Sequence, residues 1–170
     1  MIANALRFKP GQLPKGISFW NPLALFCTWF GAGLLPKVPG TWGSAAALPF
    51  AALIERAFGS IGLAVAAFIL FVAGSLVAGR FARASGVKDP GAVVVDEVAA
   101  QWATLIPVPL DPILYLVGFV LFRVADVTKP WPANWCDRHL EGGLGVMADD
   151  MVSAGYAAVG LWAFRHWVWG

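Results

Sequence analysis

The sequence predicts an all-α fold, namely a compact helical membrane protein with about four membrane-embedded segments, some of them short or re-entrant. Hydrophobic residues make up 59% of its 170 residues and charged residues only 13%, whereas soluble domains are about one quarter charged. An uncharged stretch at 57–79 exceeds the roughly 20 residues that a helix needs to cross a bilayer. No convincing alternation of polar and apolar residues indicates a β-strand.

Length and composition narrow the possible classes of protein. The length suits one domain covering residues 1–170. A net charge of +2 is too small to predict a nucleic-acid partner. Cys27 and Cys136 form neither a metal-type pair nor a disulfide framework, so we expect free thiols. Histidine and cysteine spacing typical of zinc sites is absent from the sequence.

Three further segments are apolar but less regular than 57–79. Residues 16–36 are uncharged but interrupted by proline and glycine, which predicts an interfacial or partly inserted segment. PGTWGS at 39–44 is typical of a turn, and the apolar run that follows it is short for a full span. Residues 151–169 are apolar and end in tryptophans, which commonly anchor a helix at the headgroup level.

A proline-rich run, PVPLDP at 107–112, interrupts the apolar segment from Val98 to Phe122. Proline disfavours helix at its own position and at the residue before it. The pattern therefore predicts two short helices, about 98–106 and 113–128, joined by a turn that reverses the chain.

Basic residues predict which side of the membrane the loops face. Arg80, Arg83 and Lys88 follow the 57–79 stretch, and three more basic residues lie in the loop 123–150. The positive-inside tendency places both loops in the cytoplasm. A reversal at 107–112 is what allows the two loops to share that side.

Five acidic residues then gather at one membrane face: Asp96, Glu97, Asp126, Asp149 and Asp150. Carboxylates this close resist ionising together unless a cation lies among them. Mg²⁺ takes such oxygen ligands, usually together with water and substrate phosphate. The alternative is that single members, such as Asp96 or Asp149, only favour a helix N-terminus.

Basic residues accompany the acids in FRVADVTKP at 122–130. Arg123, Asp126 and Lys129 are three residues apart, which gives a stripe along one side of a helix. Arginine and lysine suit phosphate oxygens, although a row of helix salt bridges explains the same spacing. Thr41 and Ser44 offer hydroxyls in PGTWGS, and GGLG at 142–145 offers backbone N–H groups, but each signal is weak by itself.

Two classes of function fit these residues. The first is a phosphatase that acts on a lipid, with Mg²⁺ on the carboxylates and the phosphate on Arg123 and Lys129. The second is a divalent-cation carrier whose acids line an ion path. Arg123 and Lys129 would repel a cation, which favours the phosphatase. An inactive scaffold is disfavoured because the acidic set is complete.

Four motifs in order, VPGTWGS, VVVDEVAAQW, FRVADVTKPWP and GGLGVMADD, strongly resemble the phosphatidylglycerophosphatase A family over about residues 17–160. The resemblance implies a multi-pass enzyme of the bacterial inner membrane, with its active site facing the cytoplasm. It implies Mg²⁺-dependent removal of the terminal phosphate of phosphatidylglycerophosphate, with a membrane phospholipid as substrate. By motif, the implied catalytic residues are Asp96, Glu97, Asp126 and Asp150, and the implied substrate-binding residues are Thr41, Arg123 and Lys129. The implied metal ligands are Asp96, Glu97, Asp126, Asp149 and Asp150.

Overall fold

The structure is a computed structural model that describes Leu13, residues 17–85 and residues 91–169. The helices are α1 (Pro22–Cys27), α2 (Pro39–Ser85), α3 (Val95–Leu105), α4 (Pro112–Thr128), α5 (Ala133–His139) and α6 (Gly142–Trp169), with a 3₁₀ turn at Ala32–Leu34. No strand occurs in the described part of the chain, so the all-α prediction is confirmed. Lys88, which supported the predicted orientation, lies outside the described residues.

Helix α2 is broken at Gly59, where φ is 66° and ψ is −173°. Residues with a side chain avoid this conformation, and glycine adopts it readily. Both ends of α2 return to the same end of the bundle, since Gly40 lies against Glu97 and Gly79 lies against Gly143. Gly59 is the third residue of the predicted 57–79 membrane stretch, so the break falls close to the start of that stretch.

The start of α2 also differs from the prediction. PGTWGS at 39–44 is the first part of the helix rather than a turn. Pro39 is the first helical residue, where its fixed φ is favourable and its missing N–H leaves no bond unmade. The Pro-Gly pair therefore starts this helix instead of interrupting the chain.

Among the described residues, α2 over Pro39–Phe81 is the one helix long and apolar enough to cross a membrane. Its large apolar side chains are widely exposed, with Leu53 66%, Ile61 79% and Phe68 66% accessible. A continuous apolar surface of this kind marks a protein or membrane contact, and it indicates membrane association. The predicted number of four embedded segments remains a prediction.

Helices α3 and α4 form the predicted hairpin, with boundaries within three residues of those expected. Asp111 caps α4 by accepting hydrogen bonds from the N–H groups of Ile113 (2.9 Å) and Leu114 (3.0 Å). Gly118 lets the two helices approach, since a Cβ there would lie 2.9 Å from Leu105. The reversal brings the first turn of α3 beside the last part of α4.

Candidate active site

A cavity of about 140 Å³ lies where the start of α2 meets α3, α4, α5 and α6. Charged side chains dominate its lining, and they come from four different helices or their ends. They are Asp96, Glu97, Asp126, Lys129, Asp137, Asp149 and Asp150. In a chain that is only 13% charged, this concentration singles out the cavity as the candidate site.

Three of the carboxylates form one group. Asp96 and Glu97 lie in the first turn of α3, and Asp150 lies in α6. One oxygen atom from each of the three lies within 4.8 Å of the others. Asp96 and Asp150 are buried. Three convergent, largely buried carboxylate oxygens fit a hard divalent cation, which prefers oxygen ligands.

The charge on Asp150 is unfavourable without such a cation. Burial raises the pKa of the Asp150 carboxyl well above its usual range, and the negative charges of Glu97, Asp126 and Asp149 raise it further. Like charges held together in a desolvated place each oppose the ionisation of the others. A bound divalent ion would reverse this effect, because it becomes the largest charge in the site.

Arg123 extends from α4 to the same group. Its Nη1 lies 2.7 Å from Asp126 Oδ2 and 3.9 Å from Glu97 Oε1. The same atom donates to the Ser44 hydroxyl at 3.4 Å. Ser44 is fully buried and donates in turn to the Gly40 carbonyl at 2.9 Å. The guanidinium is therefore held at the cavity edge by an acid and a hydroxyl.

Lys129 reaches the cavity from beyond the end of α4. It adopts a left-handed conformation (φ 43°, ψ 62°) and caps the helix. Its ammonium donates to the buried Asp149 and lies 3.5 Å from Asp137. Burial alone would lower the pKa of Lys129, but the hydrogen bond to Asp149 and the nearby carboxylates raise it above its usual value. Lys129 therefore remains a cation.

The structure brings the predicted acids together but divides them between two kinds of contact. Asp96, Glu97 and Asp150 form the three-oxygen group, whereas Asp126 pairs with Arg123 and Asp149 pairs with Lys129. The Arg123–Asp126 pair is the helix salt bridge that the spacing allowed. Lys129 is not part of that row, because it lies past the helix end and bonds to α6.

Other sequence predictions are placed differently. Thr41 is not among the described residues that line the cavity, whereas the neighbouring Gly40 is. GGLG at 142–145 is the first turn of α6 rather than a loop, and only its last glycine, Gly145, lines the cavity. Asp137 was not predicted. It shares α5 with no other cavity residue, so no local sequence pattern marks it.

Gly40 gives a test of the geometry that is independent of charge. A Cβ at this position would lie 2.0 Å from Glu97 Oε1 and 3.1 Å from Arg123 Nη1. The side-chain ends can move, so we expect Gly40→Ala to preserve the fold but to lower turnover by about 10²-fold, since misplacement by about 1 Å has effects of that size. Gly155→Ala is the control, because no atom lies within 4 Å of its added Cβ. Equal turnover in the two variants would show that the position of Glu97 is unimportant.

Comparisons with known proteins identify the family of this chain. The sequence model of the family described as phosphatidylglycerophosphatase A matches residues 25–165. The phosphatidylglycerophosphatase A of Escherichia coli (strain K12) is 39% identical over 153 residues, which cover 88% of this chain and 88% of the relative. The protein of that name from Haemophilus influenzae is 34% identical over 155 residues, covering 91% of this chain and 95% of the relative.

A third relative carries a different name. A protein of Bacteroides thetaiotaomicron named putative phosphatidylinositol-3-phosphatase is 33% identical over 159 residues, covering 86% of this chain and 94% of the relative. No solved structure matches the chain. Because the family match spans most of the sequence and includes the whole cavity, this chain belongs to the phosphatidylglycerophosphatase A family and is a phosphatase.

Proposed function

We propose that this protein removes the terminal phosphate of phosphatidylglycerophosphate to give phosphatidylglycerol, using Mg²⁺, at the cytoplasmic face of a bacterial inner membrane. The observation that carries the proposal is the meeting of three carboxylates with Lys129 in one cavity, at whose edge Arg123 contacts Glu97 and Asp126. Family membership supports the substrate, since two relatives are named for it.

The carboxylates Asp96, Glu97 and Asp150 fit the Mg²⁺ that the family resemblance implies. Their three oxygens converge, and the raised pKa of Asp150 reflects a negative charge that a cation would stabilise. When bound, Mg²⁺ supplies Lewis-acid polarisation of a phosphoryl oxygen and favours ionisation of a bound water. Asp126 and Asp149 contribute by holding the two cationic side chains.

The two cationic side chains would contact the phosphate in different ways. Arg123 presents a planar fork that suits two phosphoryl oxygens at once. Lys129 presents a point charge from beyond the end of α4, fixed by Asp149 and Asp137. Both stabilise negative charge as it develops on the phosphoryl oxygens, which is the main catalytic requirement in phosphoryl transfer.

The rest of the chain would hold the substrate in reach. The exposed apolar surface of α2 keeps the protein in lipid, and the cavity lies at the end of the bundle to which both arms of α2 return. Basic residues around this end support a cytoplasmic orientation. A lipid headgroup would therefore meet the charged cavity while its acyl chains stay in the bilayer.

A divalent-cation carrier is not favoured. Lys129 lines the cavity with the carboxylates and Arg123 lies at its edge, so both would repel an ion in transit. The relatives that cover most of the chain are named as phosphatases. The same residues are what a phosphate-binding site needs.

Phosphate release by the purified protein in detergent tests the proposed substrate. We expect release from phosphatidylglycerophosphate and at least about tenfold slower release from phosphatidylinositol 3-phosphate, since misplaced phosphates lose transition-state contacts. Faster release from the inositol lipid would assign the substrate of the Bacteroides relative instead. No release from either lipid would contradict the proposal.

A further inference from the structure

Gln101 is a fully buried polar residue of α3 that is not among the described residues lining the cavity. Its side chain has no exposed surface. Neither the amide nitrogen nor the amide oxygen has a hydrogen-bond partner in the part of the chain that the structure describes. A buried amide without partners destabilises a fold, whereas an apolar side chain of the same shape would not. Its presence therefore needs a reason other than packing.

Other fully buried polar side chains of α3 and α6 do have partners. The Thr104 hydroxyl donates to the Ala100 carbonyl at 2.9 Å, and the Ser153 hydroxyl donates to the Asp149 carbonyl at 3.0 Å. Each hydroxyl is satisfied by its own helix. An amide cannot be satisfied in the same way, because it has two donor hydrogens and an acceptor oxygen.

The position of Gln101 relates it to the acidic group. It lies four residues after Glu97, so the two side chains occupy one face of α3 a single turn apart. The neighbouring arm of α2 runs alongside, since Gly40 contacts Glu97 and the Trp102 indole donates to the Ala47 carbonyl at 3.0 Å. Ser44, which contacts Arg123, lies between these two contacts. Gln101 therefore lies one helical turn beneath Glu97, on the same face of α3.

We propose that Gln101 is a positioning residue of this site, whose amide holds a buried water that donates a hydrogen bond to the Glu97 carboxylate. The inference rests on the proposed phosphatase function. Buried waters bridge polar groups that lack direct partners and need two to four of them. The water donates its second hydrogen to the amide oxygen of Gln101.

Such a bridge would fix the direction in which Glu97 presents its carboxylate. Groups that hydrogen-bond to a ligating carboxylate orient it and affect both metal affinity and activity by about 10–100-fold. Glu97 has competing contacts, because Arg123 lies 3.9 Å away on one side. A hydrogen bond from beneath would keep the carboxylate directed toward Asp96 and Asp150.

The variant Gln101→Met tests the inference, because it keeps the length of the side chain and removes both polar atoms. Thr104→Val is the matched control, since it removes a fully buried polar group of the same helix whose hydrogen bond lies within that helix. For each protein, kcat and KM for phosphatidylglycerophosphate would be measured, with the thermal midpoint of the metal-free protein. The Mg²⁺ concentration that half-saturates the thermal shift gives a readout independent of turnover.

We expect Gln101→Met to unfold at the same temperature as the unaltered protein or higher, while its kcat falls about tenfold with KM within about twofold. The half-saturating Mg²⁺ concentration should rise about tenfold. Thr104→Val should change kcat, KM and the half-saturating Mg²⁺ concentration by no more than about twofold. A kcat within twofold of the unaltered protein would overturn the inference. A lower thermal midpoint would also overturn it, since the amide would then be a structural group. Failure of the proposed function is distinguishable, because the unaltered protein would then release no phosphate.

Discussion

Asp150→Asn is expected to abolish phosphate release while raising the thermal stability of the metal-free protein. The substitution keeps the size of the side chain but removes one of three convergent carboxylates. Loss of a group that organises charge at the reacting phosphate should lower kcat by about 10³-fold. Removing a buried like charge should stabilise the fold, and about 1 kcal/mol corresponds to roughly 2–4 °C for a chain of this size.

The stability gain should depend on pH in a definite direction. The folded-state pKa of Asp150 is raised above its usual value of 3.8. The folded protein therefore binds more protons than the unfolded chain above that pH, and its stability falls as pH rises toward the folded-state pKa. Asp150→Asn removes this contribution, so its advantage in thermal midpoint should be larger at neutral pH than near pH 4.

Asp111→Asn is the matched control for the same chemical change. Asp111 caps α4 at the hairpin tip, and asparagine caps helices about as well. Turnover and thermal midpoint should both stay close to those of the unaltered protein. Unaltered turnover in Asp150→Asn would remove this carboxylate from the site.

Arg123→Lys is expected to lower kcat by about 10²-fold, whereas Lys129→Arg should retain more of the rate. The Arg123 guanidinium meets Asp126 at 2.7 Å and Ser44 at 3.4 Å through one nitrogen, which leaves its other N–H groups to serve a phosphate. A lysine ammonium cannot present that fork. At position 129 the requirement is a cation beside Asp149, which arginine also provides.

Arg165→Lys is the control for loss of a guanidinium. Arg165 donates to the Pro107 carbonyl at 3.2 Å, by the tip of the α3–α4 hairpin. Its replacement should leave kcat within about twofold of the unaltered value, because this hydrogen bond lies at the opposite end of the hairpin from Asp96 and Asp126. Equal and mild effects of Arg123→Lys and Lys129→Arg would favour the alternative in which both residues form only structural salt bridges.

The α3–α4 hairpin shows what the sequence encodes locally. Prolines at 107–112 restrict their own backbone and that of the preceding residues, so the reversal was visible without tertiary information. The scarcity of charge was equally informative. Few charged residues are available in this chain, and the predicted acids line one cavity together with Lys129, with Arg123 at its edge.

The break at Gly59 shows what the sequence does not encode locally. The 57–79 stretch contains several glycines, and nothing in the pattern distinguishes Gly59 from Gly62 or Gly74. Only the way the two arms of α2 pack decides which glycine takes a positive φ. PGTWGS was similarly ambiguous, because a Pro-Gly pair is compatible both with a turn and with a helix start.

Which partner each carboxylate contacts also depends on tertiary structure. Asp149 and Asp150 are adjacent and chemically identical, yet Lys129 binds the first and the second joins Asp96 and Glu97. Which acid meets which cation is set by the rotation of α6 against α3 and α4. Asp137 joins the site because α5 packs beside Lys129, which is a tertiary contact that the sequence pattern does not indicate.

Phosphate release from phosphatidylglycerophosphate before and after exhaustive chelation tests the central claim most directly. If Asp96, Glu97 and Asp150 act through bound Mg²⁺, release should stop when EDTA has removed divalent ions. Adding excess Mg²⁺ should restore it in the unaltered protein but not in Asp150→Asn. Full release after exhaustive chelation would contradict the metal-dependent account of this cavity.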